Sequence, residues 1–265
     1  MDLGLKGRTA VVVGASKGIG RGIARALAAE GCDLFLLARN AGELGETAAA
    51  IAAEFGGAAT PVTADVSDPG SVRAAAAAVR EAAGGINILA TSVGTAIRRQ
   101  DRTITWDDAD WQADIDIKVT GILRVIREFE GMIASDGTGR IVNITGASGL
   151  MTWMPALNYG MNNAAVIHAT GYLAADLADR GITVNTVVPG IIGTEWREGW
   201  AGGMAGDQTK EDWLTEFCGS KGIVARRWGR VEEIGDAVAF LASDRAAYIN
   251  GTKLVVDGGL TANIR

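Results

Sequence analysis

The chain has 265 residues, 48% of them hydrophobic, and its 31 acidic against 25 basic side chains leave a net charge of −6. That length is enough for one large α/β domain with a sizeable core. The acidic balance and the lack of a basic tract argue against nucleic acid as a partner, and no apolar run reaches the roughly 18 residues of a membrane span.

Residues 1–6 show no signal-peptide pattern. Cys32 and Cys218 are the only cysteines, too few for a disulfide framework or a metal cluster, and Cys32 reads as a small buried residue opening a strand. No grouping of His, Cys or acidic residues suggests a metal. A reducing cytoplasm is the expected location.

Strand-like apolar runs alternate with helical patterns along the chain. The pattern predicts a strand over 8–14, a helix over 18–30, a strand over 32–39 and a helix over 42–55. A strand over 59–64, a helix over 69–83 and a strand over 86–93 follow. Then come a long helical region over 107–134, a strand over 140–145, a helix over 157–180 and a strand over 182–188. The strands are continuously apolar rather than alternating, as expected for strands buried on both faces of a parallel sheet. The expected fold class is α/β: a Rossmann-type, doubly wound parallel sheet flanked by helices. No linker or repeat interrupts 1–265, so one domain is expected. Residues 192–222 break the rhythm with glycines and with Trp196, Trp200 and Trp213. They form either a substrate lid beyond a strand end or an oligomer contact.

The first strand runs into Gly14-Ala15-Ser16-Lys17-Gly18-Ile19-Gly20 and then a helix. Glycines allow a tight turn and close approach of the backbone to a pyrophosphate, and the helix N-terminus offers unpaired N–H groups. Gly14, Ser16, Lys17, Gly18, Ile19 and Gly20 are therefore expected cofactor contacts. The second strand ends in Leu37-Ala38-Arg39-Asn40, without the acidic residue that would bind a ribose 2′-hydroxyl. Arg39 and Lys17 can face a 2′-phosphate instead, so NADP(H) is expected ahead of NAD(H). Asp65, before Val66, suits either an adenine amine or a turn cap.

With these motifs in order, the chain resembles the classical short-chain dehydrogenase/reductase family over nearly its whole length. The resemblance is carried by the glycine turn, Asp65-Val66, Gly139 to Ile144, Tyr159, Asn185, Pro189-Gly190, the Arg227-Trp228-Gly229-Arg230 run with Glu232-Glu233-Ile234, and Asp257-Gly258-Gly259. In that family an Asn-Ser-Tyr-Lys set works on a carbonyl or alcohol: tyrosine moves the proton, lysine lowers its pKa and binds ribose, serine bonds the substrate oxygen, and asparagine holds a water. Of the four, the chain keeps only Tyr159. Lys118 stands at the asparagine position, Gly146 at the serine position thirteen before the tyrosine, and Asn163 at the lysine position. The family's Asn-Asn-Ala-Gly turn reads Thr91-Ser92-Val93-Gly94, keeping Gly94. The resemblance further implies that Pro189, Gly190, Ile192 and Thr194 contact the nicotinamide end.

The changes at 118 and 163 look reciprocal. Either Lys118 reaches into the pocket and supplies the missing cation, or it is a solvated or interface lysine and the set is degraded. Tyrosine's intrinsic pKa is near 10, and a nearby ammonium favours phenolate. Ser148 is the expected stand-in for the lost serine, ahead of Thr145, because 146 and 148 share a side if the strand continues; the other reading of Ser148 is a turn hydroxyl. His168 lies more than two helical turns beyond Tyr159, too far to act as the base. Met151, Trp153, Met154, Trp196 and Trp200 suggest an apolar pocket that tolerates aromatic groups, and equally suit a core or interface.

The expected function is an NADP(H)-dependent oxidoreductase acting on a bulky apolar or aromatic small molecule, with Tyr159, Lys118, Asn163 and Ser148 at the centre. The alternatives are a non-redox lyase, dehydratase or isomerase on the same fold, and a catalytically weak cofactor-binding protein. The resemblance implies a homodimer or homotetramer paired through the helices that carry Lys118 and Tyr159.

Overall fold

The computed structural model describes residues 2–94, 103–152 and 157–262. Trp153 and Met154 lie outside the described residues.

Seven parallel strands form one sheet in the order β3-β2-β1-β4-β5-β6-β7. They are β1 (Thr9–Val13), β2 (Asp33–Ala38), β3 (Ala59–Thr63), β4 (Ile88–Thr91), β5 (Arg140–Ile144), β6 (Thr183–Pro189) and β7 (Lys253–Val256). Parallel register requires a crossover between strands, and helices supply it: α1 (Gly18–Ala29), α2 (Ala41–Phe55) and α3 (Pro69–Ala83) in the first half. The order reverses direction beside β1, which opens a crevice at the carboxyl ends of β1 and β4.

Side chains alternate across each strand, so the sheet feeds two cores. Val12, Leu34 and Leu36 pack on one face with Ile23, Leu27, Ile234 and Val238. Val11, Val13 and Leu89 pack on the other with Ile122, Ile126 and Phe129. Every residue of β5 and β6 is buried, including the polar Arg140, Asn143, Thr183, Asn185 and Thr186, whereas edge strand β3 is largely open. The sequence pattern leaves α9 (Val231–Ala242) and β7 unassigned, along with the two helices of the irregular stretch beyond β6. In α9 the buried Ile234, Val238 and Leu241 lie at helical spacing. With only four residues and a half-exposed pattern, β7 gives too weak a periodicity to stand out.

The helical region predicted over 107–134 runs unbroken over 108–130, with a change of pitch in its middle. It consists of α4 (Asp108–Ile115), a π-helical segment over Asp116–Thr120 and α5 (Gly121–Glu130). A π segment widens the turn by one residue and so rotates the side chains within it relative to a regular helix. Lys118 sits in its middle and is buried. The helix predicted over 157–180 closes as α6 (Leu157–Asp176) followed by a short 3-10 turn.

The irregular stretch beyond β6 contains α7 (Glu195–Met204) and α8 (Lys210–Ser220). Trp200, Trp213, Phe217 and Trp228 stack on one another, with the Trp213 and Phe217 rings 4.9 Å apart. They cover buried Ala201, Cys218 and Ile223. Trp200 and Trp213 therefore form this segment's own small core, and Trp196 is the tryptophan of the three that lines the cavity described next.

Candidate active site

A cavity of about 1530 Å³ runs along the carboxyl ends of the strands. One end is walled by the glycine turn, Arg39 and Asp65, and the other by Ser92, Gly94, Lys118, Thr145, Tyr159, Thr194 and Trp196.

The glycine turn is shaped for close approach. Gly14 adopts φ +81°, and a Cβ there would lie 2.2 Å from the Ser92 carbonyl oxygen. A Cβ on Gly20 would lie 2.0 Å from the Gly14 carbonyl oxygen. Lys17 is the N-cap of α1 and its side chain caps nothing, so the first-turn N–H groups face the cavity as an anion site. Gly14→Ala meets both a left-handed backbone and a steric overlap, and is expected to cost at least about 2 kcal/mol in urea denaturation. An unchanged midpoint would contradict this geometry.

At the ribose end, Arg39 is exposed on the cavity wall. Lys17 is engaged, its Nζ 3.3 Å from a Glu43 carboxylate oxygen. Glu43, at the N-terminus of α2, was not singled out in the sequence as part of this wall. Asp65 accepts hydrogen bonds from the Ser67 N–H and hydroxyl, which is the turn-capping role. Burial pulls its carboxyl upward, but the Ser67 bonds and the charges of Arg39 and Arg124 outweigh this and hold it below the usual value.

At the other end, Lys118 is 2% exposed. Its Nζ donates to the Val93 carbonyl at 2.6 Å and to the Ile144 carbonyl at 2.8 Å, at the ends of β4 and β5. It is therefore not a solvated lysine. Burial pushes its pKa down to about 7, against the opposing charge of Asp114. Tyr159, on α6, faces the same cavity. A Cβ at Gly146 would lie 3.0 Å from the Tyr159 hydroxyl and 3.2 Å from Asn163 Nδ2, so these two groups border the space where the family carries its serine.

Ser148 does not follow the extended path that would have aligned it with 146. Residues Ala147–Gly149 form a 3-10 turn, and the Ser148 hydroxyl accepts from Asn163 Nδ2 at 3.2 Å. Ser148 and Asn163 are thus joined to each other beside the Tyr159 hydroxyl. Asn163 Oδ1 is buried with no hydrogen-bond partner among the described residues. Thr145 lines the cavity, but its hydroxyl donates to the Val187 carbonyl at 3.3 Å.

Not all expected contacts reach the cavity. Thr194 does, whereas Pro189, Gly190 and Ile192 are not on its wall. The turn after β6 is sutured instead to residues 227–230, with Gly193 N–H bonded to the Gly229 carbonyl and Gly229 N–H to the Ile191 carbonyl. Asn185 is structural: its side chain bonds the Ile249 carbonyl and the Thr252 N–H. His168 stacks edge-on against Tyr172, away from the site. Among the described residues no group of His, Cys, Asp or Glu could hold a metal, and no helix is long and apolar enough to cross a membrane.

The family described as enoyl-(acyl carrier protein) reductase matches residues 14–261. The chain belongs to the short-chain dehydrogenase/reductase family. It is an oxidoreductase of that family, with a Rossmann-type fold. It is 37% identical to oxidoreductase UcpA of Salmonella typhimurium over 261 residues, 97% of this chain and 95% of that protein. L-sorbose reductase of Gluconobacter frateurii, solved with NADPH and L-sorbose, superimposes with a TM-score of 0.91 at 29% identity over the whole of both chains. An NADPH-bound short-chain oxidoreductase of Pseudomonas aeruginosa PAO1, described as containing an atypical catalytic centre, superimposes at 0.87 with 26% identity over 96% of each chain.

Set against the family's usual layout, a buried polar cluster beside the site went unnoticed in the sequence. Asp114 Oδ2 accepts from Asn158 Nδ2 at 2.8 Å and from Asn162 Nδ2 at 2.7 Å, with all three residues buried. The available signal was spacing: Asn158 and Asn162 directly precede Tyr159 and Asn163, and Asp114 precedes Lys118 by one turn.

Proposed function

We propose that the protein is an NADP(H)-dependent oxidoreductase that interconverts an alcohol and a carbonyl on a bulky apolar or aromatic small molecule. The observation that carries this reading is Lys118: buried, anchored on two carbonyls, and on the wall of the cavity that Tyr159 also lines.

The cofactor would lie along the glycine turn, with its 2′-phosphate towards Arg39 and Lys17, its adenine end near Asp65 and Val66, and its nicotinamide end near Gly94 and Thr194. The NADPH-bound relatives support the phosphorylated form. Bound there, the nicotinamide supplies or takes up the hydride. Tyr159 gives a proton to the carbonyl oxygen in reduction and removes it from the alcohol in oxidation. The Lys118 ammonium stabilises the negative charge this leaves on the phenol oxygen. Asn163, braced by Ser148, orients a ribose hydroxyl or a water with its unpartnered Oδ1. Gly146 leaves room for a larger group beside the phenol, and Trp196 offers an apolar wall.

Residues 1–265 form one dinucleotide-binding domain in this reading, with 192–222 as a lid. The contact between Arg21 of α1 and Glu195 of α7 ties that lid to the cofactor turn. Leu123, Met161 and Tyr172, exposed on α5 and α6, suit a homodimer or homotetramer paired through those helices. The location proposed is the cytoplasm. The two carbonyl acceptors of Lys118 suit an ammonium better than the Schiff base that one form of the non-redox alternative would need.

The test is a fluorescence titration with NADPH and NADH, followed by NADPH oxidation on a panel of aromatic and aliphatic ketones. NADPH should bind more tightly than NADH. Arg39→Ala should weaken NADPH about tenfold while sparing NADH, and Glu43→Gln should tighten NADPH by freeing Lys17. Equal affinity for the two cofactors in all three proteins would remove the NADP(H) assignment. A panel without turnover would remove the reductase assignment.

A further inference from the structure

We propose that Arg124 is a positioning residue for the cofactor: from α5 it holds the Asp65–Val66 turn in place as the wall for the adenine end. This rests on the placement of that end at Asp65 and Val66.

Arg124 is 7% exposed and does not itself reach the cavity wall. A guanidinium withdrawn from water needs acceptors for its N–H groups and a counter-charge. Arg124 has both. Its Nη1 donates to the Val66 carbonyl, and its Nη2 donates to the Asp116 carboxylate at 2.9 Å. Val66 is on the cavity wall, and Asp116 opens the π segment that carries Lys118. One planar, rigid group thereby joins the turn at one end of the cavity to the helical run at the other.

Bonds within the turn and to the start of α3 give the turn its shape. The Asp65 N–H donates to the Ser71 hydroxyl at 3.0 Å, the Ser67 N–H to Asp65 Oδ1 at 2.9 Å, and the Asp68 N–H to the Asp65 carbonyl at 3.1 Å. The bond from Arg124 comes instead from the crossover between β4 and β5, and it sets how far the turn stands from the crevice. Val66 shares a core with Ile122 and Val125 of that same helix. The approach is close: a Cβ on Gly121 would lie 3.0 Å from Val66 Cγ2 and 3.0 Å from the Asp116 carbonyl oxygen. Both Ser67 bonds fall on Asp65 Oδ1, which leaves Oδ2 to accept from an amine. That acceptor is useful only at a fixed distance from the base, and Arg124 fixes it.

The experiment is a fluorescence titration of full-length protein with NADPH and with its hypoxanthine analogue, which presents a carbonyl where adenine has its amine. Wild type should bind NADPH severalfold more tightly than the analogue. Arg124→Gln should weaken NADPH about tenfold and the analogue much less, so that the preference for adenine is lost. Arg124→Lys, which keeps the charge but cannot span both acceptors, should fall between. Asp116→Asn, which leaves the guanidinium without its counter-charge, should also reduce the preference. An unchanged ratio of the two affinities in Arg124→Gln overturns the proposal, whether both affinities hold or both fall together. If that variant does not fold, an unchanged ratio in Arg124→Lys does so. Wild type that binds the two cofactors alike removes the adenine placement and the proposal with it, and wild type that binds neither removes the NADP(H) assignment itself.

Discussion

Lys118→Met is expected to lower turnover by about 10²–10³ while NADPH affinity falls much less. Removing a preorganised stabiliser of developing charge from a water-poor site commonly costs that much. Methionine keeps the volume and the apolar stem, so the packing around the π segment is retained. The loss should fall on kcat rather than KM, because the cation acts on charge that appears in the transition state. The pH profile gives the second signature. With its pKa lowered to about 7, Lys118 is cationic below neutrality and loses that charge as the pH rises through 7. Wild type should show a limb there and Lys118→Met should not. Turnover equal to wild type, or a limb that persists in the variant, would place the cation elsewhere.

Stability should rise with pH above neutrality, the reverse of what a solvated or salt-bridged lysine produces. The unfolded chain holds the Lys118 proton up to about 10.5, while the folded chain releases it near 7. Below pH 7 both states are protonated, and the cost of burying the charge is felt in full. Between 7 and 10.5 the unfolded state binds the extra proton, so raising the pH favours the folded state by up to about 1.4 kcal/mol per unit. Above 10.5 the cost is gone. The comparator is the Lys118→Met protein, which lacks the buried amine and should lack this slope. Urea denaturation at pH 7, 8 and 9 reads the difference directly. Parallel pH curves for the two proteins would show that Lys118 carries no such penalty.

The sequence by itself determined the fold, the cofactor turn and the departures at 118, 146 and 163. These are local signals. Continuous apolar strands, glycines between a strand and a helix, and a tyrosine at a fixed spacing each need only a few neighbouring residues. Where Lys118 points was decided by the π segment at Asp116–Thr120, a change of helical pitch with no mark in the apolar periodicity. The partner of Ser148 was decided by a 3-10 turn where an extended path had been expected. Trp200 and Trp213 turned inward on Phe217 and Trp228, because aromatic rings from separate helices bury more surface against one another than against an open cavity. The pairing of Lys17 with Glu43, the shared carboxylate of Asp114 and the placing of Pro189, Gly190 and Ile192 off the cavity wall all join segments distant in the chain. Such contacts are set by how helices dock on the sheet, and that docking is the outcome of the whole core rather than of any stretch within it.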